Sequence, residues 1–487
     1  MAIFLPGAPR RKYGEITPNI TVGIFNIRIP FWHWGVEPVE VLQAMVMFVT
    51  GMGAIAVLQD MFGMPFEIAL TIVCFHELTY CLHQIMGDPM ISGWITPAIP
   101  LTTAFLLGFE MGPERIHALI ALQLLVGIIF LILGLTGLAA KLLSIVPKAL
   151  QAGIILGAAV AAVTGKYLFL SGDGYFYTYP ISITVGGLGA LFLLFSKFFQ
   201  ERVHAAKEQN ARDVFVMFAN YGMVPGLIIG IIVGWIVGEI PLPVFQKGLF
   251  FVPHVREVIS NFSPFSIGFP PLHIWIAAIP MAFIAYVIAF GDMVLGATVI
   301  DKANREDRLD EEVNFNPNRL HILCALRNFL EGCLAPTVTL AGPIWAAMTV
   351  AVTERYKLGR KAMDSIYGGS GSFNIMKFLS CLILPLVCIF QPALPVALSL
   401  TMLIQAFACG YVGMHLVTTN TERGLAIVIG SALAIAGPTM GLVIGIILCL
   451  VLLGPSAFAM RHDDDIPSVI ANSVAKGKKK DAPSTQA

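Results

Sequence analysis

One carboxylate, Asp292, stands in the apolar run "AFGDMVLGATVI" at 289–300. An acid in such a run is costly to bury and functional by default. Its carboxyl could carry a proton. With Thr298, Thr339 and backbone oxygens it could instead hold Na⁺, a hard cation that prefers oxygen ligands. A second concentration of chemistry is "FHELTYCLHQIMGD" at 75–88, with His76, Glu77, His83 and Asp88. This is not the His-Glu-x-x-His spacing of a zinc peptidase, and an embedded enzyme built on it is a minor reading. Glu77 could move a proton or partner a polar group on a neighbouring helix. Gln43 reaches a similar depth and could hydrogen-bond a solute, while Arg327 and Glu331, four apart, pair with each other.

The elements that must position these groups are set by composition. Of 487 residues, 57% are hydrophobic and 12% charged, and mean hydropathy is +0.80. That is too little charge to cover a soluble protein, so the solvent is lipid. Formal net charge is zero, so nothing points to nucleic acid. The first residues lack a signal-peptide core, and the first span is expected to direct insertion. The eight cysteines fall in or beside apolar runs without metal-ligand spacing and read as small core hydrophobes. Glycines in "TGMGAIAV" (50–57) and "GGLGAL" (186–191) read as helix contacts rather than nucleotide loops. No cofactor or metal is implied beyond a coupling H⁺ or Na⁺.

Hydropathy gives about fourteen spans of an all-α polytopic chain. They fall near 39–60, 66–86, 95–108, 115–138, 148–170, 180–198, 222–240, 272–300, 317–334, 342–355, 372–390, 394–416, 423–437 and 439–459. Basic residues cluster at Arg10–Lys12, after the fourth span (Lys141, Lys148) and after the sixth (Lys197, Arg202, Lys207, Arg212). They recur after the eighth (Lys302, Arg305, Arg308), after the tenth (Arg355, Lys357, Arg360, Lys361) and in the tail "KGKKK". The positive-inside rule then places both termini in the cytoplasm of a cell whose inner membrane holds the protein. The expected division is an N-terminal cytoplasmic segment (1–38), a first repeat (39–198, with its seventh span at 222–240) and a cytoplasmic linker (199–221). A second repeat ends at 459, and 460–487 reads as a disordered tail.

Two spans are too short and open on prolines: "GWITPAIPLTTAFLLG" (93–108) and "APTVTLAGPIWAAM" (335–348). They are the third and tenth, seven apart, so the second runs in the opposite sense, as in the inverted repeats of secondary transporters. Irregular backbone survives at this depth only inside protein or against a wet cavity. Half-helices starting there would aim their positive ends at one point. The expected solute-binding positions are therefore Thr96, Pro97 and Ala98 at one break, Thr339, Ala341, Gly342 and Pro343 at the other, with Gln43 and Asp292. Asp292, Thr298 and Glu77 are the expected coupling-ion residues.

"PTVTLAGPIWAA" resembles the start of the tenth span in the nucleobase–ascorbate transporter family (xanthine and uracil permeases), and the sulfate permeases (SulP) carry a related stretch. "SIVPKALQAGIILGAAVAAV" resembles the Pro-led fifth span of both, and "NPNRLHILCALRNFLEGCLAPTVT" their ninth. "TTNTERGLAIVIGSALAIA" is similar to the Arg-led thirteenth span of the nucleobase group. The resemblance implies a seven-plus-seven inverted repeat with core and gate domains, moving as an elevator and often dimeric. It also implies that Asp292 matches the family's eighth-span acid. The chain departs from the nucleobase pattern where Gln43 precedes Ala44 instead of His. It departs again where Pro343 replaces the base-reading carboxylate and where the Gly-Gly signature near the twelfth span is missing. The residues after about 460 are expected to be too few for the C-terminal regulatory domain common in sulfate permeases.

The reading is an ion-coupled secondary transporter, an H⁺ or Na⁺ symporter, for a small anionic or weakly acidic solute. The alternative is a nucleobase permease. A channel and an embedded enzyme are the remaining classes.

Overall fold

The computed structural model describes residues 2–208 and 214–459; Arg212 and the tail from 460 lie outside them. A helix falls in each stretch read as a span: α1 Pro38–Phe62, α2 Phe66–Ile85, α3 Ile99–Leu106, α4 Pro113–Thr136, α5 Lys148–Thr164, α6 Pro180–Phe195 and α7 Val224–Val237. These are followed by α8 Leu272–Glu306, α9 Pro317–Leu334, α10 Ala346–Tyr356, α11 Ile366–Leu382, α12 Leu394–His415, α13 Asn420–Ile435 and α14 Pro438–Leu453. Among the described residues, five helical stretches are long and apolar enough to cross a bilayer unaided, or up to seven if each of two bent pairs is one span. The protein is an integral, multi-pass membrane protein. The stretch expected as a linker is partly helical: Lys197–Glu208 follows α6 with a 49° bend.

Local chemistry sets the ends. Asn316 opens α9 by accepting hydrogen bonds from the amides of Asn318 (3.0 Å) and Arg319 (3.1 Å), as an N-cap should. Thr419 and Glu422 form a reciprocal capping box at α13. Gly63, at φ 64°, ends α1 in the left-handed conformation. Packing pairs the helices in a regular way: α1 lies on α11 as α8 lies on α4, and α6 lies on α7 as α13 lies on α14. Small residues let some of these pairs approach closely. A Cβ at Gly226 of α7 would stand 2.5 Å from the Ala190 amide of α6.

The N-terminal segment, expected as a cytoplasmic segment without assigned structure, is folded onto the loops after α8 and α10. Strand β1 (Glu15–Ile16) pairs in parallel with β5 (Glu311–Glu312), and β2 (Ile20–Val22) with β3 (Phe25–Ile27) makes a hairpin. Arg11 donates to Asp310 Oδ2 (2.9 Å) and the Asp364 carbonyl (2.7 Å). Arg28 lies 3.6 Å over the Tyr367 ring. Trp34 is fully buried against Gly371 of α11, where a Cβ would strike its ring. Burial alone would raise the Asp310 carboxyl, but hydrogen bonds from Arg308 and Arg11 hold it at about 2.

A depressed carboxyl contributes stability above its unfolded value of about 3.9 and loses that contribution as pH falls toward 2. Protection from hydrogen exchange over residues 15–27, taken against the free-chain rate at each pH, should thus hold from neutral pH down to roughly pH 4 and fall below it. In Asp310→Asn, exchange should be faster at neutral pH and show little of this acid dependence.

Candidate functional site

The two broken stretches meet in the interior. Strand β4 (Gly93–Trp94) precedes α3 and pairs antiparallel with β6 (Ala341–Gly342), which precedes α10. Pro97, Pro100, Pro336 and Pro343 cannot donate, so helix cannot run through these positions without loss. Instead the freed backbone groups find partners across the crossing. The Ile95 amide donates to the Thr339 carbonyl (3.2 Å), and the Trp345 amide to the Ile91 carbonyl (2.8 Å). Asn328 of α9 acts as a third strand: its Nδ2 donates to the Ala341 carbonyl (2.8 Å) and its Oδ1 accepts from the Ala341 amide (3.1 Å). Because β6 takes up Ala341 and Gly342, α10 begins at Ala346, four residues later than the 342 expected.

Arg327 fastens the crossing. Fully buried, it donates to the carbonyls of Gly342 (2.8 Å) and Gly93 (3.3 and 3.4 Å). The expected partner Glu331 lies 3.7 Å away. Glu331 also accepts from Thr79 (2.6 Å) and Gln123 (3.0 Å) and lies 3.2 Å from His76. His83, facing Arg327 at 3.3 Å, meets Asp88 at 2.6 Å. The cluster that could have suggested zinc is therefore part of a buried ionic network around one arginine. Among the described residues no group of His, Cys, Asp and Glu is arranged to hold a metal ion.

In front of the crossing lies a small, partly open cavity with about 20 Å³ accessible to water centres, lined by Thr50, Tyr80, Gly93, Trp94, Thr96, Trp345, Lys377 and Thr401. Gly93 and Trp94 of β4, Thr96 at the start of the turn into α3, and Trp345, the residue before α10, bring the cavity to the N-terminal side of both short helices. The first amides of a helix lack intrahelical acceptors and, with the dipole, make a site for negative charge. The charged group in the lining is Lys377 of α11. Its Nζ donates to Glu77 Oε1 (2.7 Å) and lies 4.6, 4.8 and 5.9 Å from the rings of Tyr80, Trp345 and Trp94.

Of the residues expected from sequence, Thr96 lines this cavity and Glu77 pairs with its ammonium. Pro97 and Ala98 are buried in the turn leading into α3. Ala341, Gly342 and Pro343 are buried in the crossing behind it. Thr339 is turned to Thr337 (3.1 Å). Gln43 is buried on α1, two turns before Thr50.

Asp292 is half-buried on α8, outside the lining. It lies one turn before Gly296, whose flank is closed by Ile344 and Met90, and within electrostatic reach of Cys409 on α12. Thr298 is exposed, and its hydroxyl donates to the Val294 carbonyl (2.8 Å). Among the described residues no hydrogen bond joins Asp292, Thr298 and Thr339. Lys377, Tyr80, Trp94 and Trp345 escaped the sequence reading. Lys377 carried a usable signal, since a lone ammonium in "NIMKFLSCLILPL" is as costly as a lone acid.

No family model matches this sequence, and no curated protein does. Among solved structures, that of SLC26A9 aligns over 86% of this chain and 64% of its own length, with a TM-score of 0.50 at 15% identity. The chain thus spans less than two thirds of that protein. The transmembrane domain of the cyanobacterium bicarbonate transporter BicA aligns over 84% of this chain and 96% of its own, with a TM-score of 0.45 at 15% identity. The murine Solute Carrier 26 family member A9 anion transporter, in its inward-facing state, covers 86% and 68%, with a TM-score of 0.48 at 13% identity. The first of these shows that the chain has the SLC26A9 fold.

Proposed function

We propose that this protein is a secondary transporter that carries a small anionic solute across the cytoplasmic membrane by alternating access. The observation that carries the reading is the cavity at the N-terminal ends of α3 and α10, where an ammonium and two helix ends supply positive charge. Its space open to water centres, about 20 Å³, is close to the roughly 10–15 Å³ that a single water needs. That size, with Pro343 in place of a base-reading carboxylate, favours a small anion over a nucleobase. Among the structural neighbours, one is a bicarbonate transporter and another an anion transporter.

The packing supports a finer architecture as part of this proposal. The mirrored pairings α1–α11 with α8–α4, and α6–α7 with α13–α14, support a seven-plus-seven repeat of fourteen spans. In it α1–α4 and α8–α11 form a core, and α5–α7 and α12–α14 a gate. The cavity then sits on their boundary, with Thr401 of α12 as the gate's contribution. An elevator motion would carry the crossing past that face. It would also break the ion pair between Asp60, at the end of α1, and Lys166, just beyond α5 (2.7 Å).

The reading is tested by reconstituting the protein in liposomes and measuring saturable uptake of chloride, nitrate, bicarbonate, sulfate, oxalate, uracil and xanthine under imposed H⁺ or Na⁺ gradients. Uptake confined to the anions is expected. Uptake of the bases alone would replace it with the permease reading, and current without saturation would replace it with a channel. Asp292, half-buried and without a hydrogen-bond partner, is proposed to act in coupling. Asp292→Asn should then lower gradient-driven uptake about tenfold or more, the loss of one charge-dependent interaction worth roughly 1.4 kcal/mol. Uptake unchanged in Asp292→Asn across both gradients would remove it from the mechanism.

A further inference from the structure

The anion-transport reading leaves open what drives the solute, and the pair at the cavity wall bears on that. Glu77 is fully buried on α2. Its Oε1 accepts from Lys377, and its Oε2 is enclosed without a hydrogen-bond partner. Behind the pair stands Gly51 of α1, where a Cβ would collide with the Glu77 carboxylate and lie 3.3 Å from Lys377 Nζ. The ammonium is thus backed by α1 and flanked by three rings, and it lines the cavity on its remaining side. An anion arriving there competes with Glu77 for the same charge.

We infer, resting on that reading, that Glu77 and Lys377 form a charge-exchange pair in which a monovalent anion takes the place of the Glu77 carboxylate as Glu77 accepts a proton. The charge count decides this. Empty, the pair is neutral, −1 with +1. A monovalent anion added without a proton leaves a net −1 on the side chains, with only the partial charges of the two helix ends to offset it, and is disfavoured against the protonated pair. With the proton on Glu77 Oε2 or Oε1, the loaded site holds a neutral acid, an ammonium and an anion, and is again neutral. A divalent anion leaves −1 even after protonation. The pair therefore selects monovalent anions and moves one proton with each, without net charge.

The other titratable groups around Glu77 do not upset this count. On α2 itself stand His76, Tyr80 and Cys81, and Cys381 lies on α11. Arg327 and Glu331 on α9 are paired with each other. Helix Val255–Phe262, with Arg256 and Glu257, and the adjoining His254 meet α2 through Thr71, about 9 Å along the helix from Glu77 at 1.5 Å per residue. On α1 the pair meets Gly51.

The test uses the full chain with chloride, nitrate and sulfate as probes. Binding is followed by calorimetry in detergent, and uptake in liposomes with internal and external pH recorded. In the wild type, nitrate and chloride should bind about tenfold tighter per unit fall in pH where Glu77 is ionised. Sulfate should bind weakly, uptake should alkalinise the medium, and a potassium–valinomycin potential should leave uptake unchanged. Glu77→Gln should bind the monovalent anions at the tight limit with no pH slope and move no proton. Lys377→Gln leaves an unpaired buried acid and could fail to fold, so the neutral double variant Glu77→Gln/Lys377→Gln is made beside it. Folded by its melting temperature, the double variant should bind none of the probes. A wild-type pH slope retained in Glu77→Gln, or binding retained in the folded double variant, overturns the inference while anion transport stands. A wild type that neither binds nor moves any of the anions overturns both.

Discussion

Arg327→Met should melt far below the wild type in detergent and show no uptake. The guanidinium is buried, and its loss leaves Glu331 as an ionised group in the core with only Thr79, Gln123 and His76 about it. Breaking a buried ion pair from one side costs about 3–5 kcal/mol. The carbonyls of Gly93 and Gly342 lose charge-assisted donors as well, each worth roughly 1.5–3 kcal/mol. Against a total stability on the order of 5–15 kcal/mol, that is a large share. Arg327→Lys should rescue little, because a single ammonium cannot reproduce a planar fork that reaches two carbonyls and a carboxylate. Adding Glu331→Gln to Arg327→Met should recover part of the loss by removing the stranded charge. Thermal unfolding of the three variants checks this, and a single methionine variant that melts with the wild type would show that the crossing does not depend on the arginine.

Valine at Gly93 or Gly342 should abolish uptake. A Cβ at Gly342 would stand 2.6 Å from the Trp94 carbonyl carbon, and one at Gly93 2.6 Å from the Trp345 amide. These neighbours are backbone on both sides, so neither can swing away as a flexible side chain would. Overpacking of this kind costs about 1–3 kcal/mol, occasionally more. Here it is expected to separate β4 from β6 and to misplace the two helix ends beside the cavity. Gly291 provides the contrast, because a Cβ there meets nothing within 4 Å and it lies within α8. Gly291→Ala should leave uptake intact and raise stability by roughly 0.4–1 kcal/mol. Liposome uptake and melting temperature measured side by side separate the two classes of glycine.

Much of the fold was legible because it is written in local patterns. Apolar runs placed most helices to within a few residues and α11 (Ile366–Leu382, expected at 372–390) less closely, and Pro97, Pro100, Pro336 and Pro343 marked both breaks. Arg327 and Glu331, spaced one helical turn apart, declared themselves a pair. The proline signal could not say that the broken ends would zip together as a two-residue sheet, with Asn328 completing it. The N-terminal segment, read only as cytoplasmic, becomes a clasp because Arg11 and Arg28 find Asp310 and Tyr367 some 300 residues later.

By itself the sequence determined the solvent, the helices and the two depths at which helix must fail, since hydropathy and proline act within a few residues of themselves. Only the tertiary structure decided which charges meet. Asp292 stood out along the chain, yet it is Glu77 that reaches the cavity, through Lys377, 300 positions away. Such a partnership depends on how α2, α1 and α11 pack. A buried charge is tolerated only where that packing delivers its counter-charge.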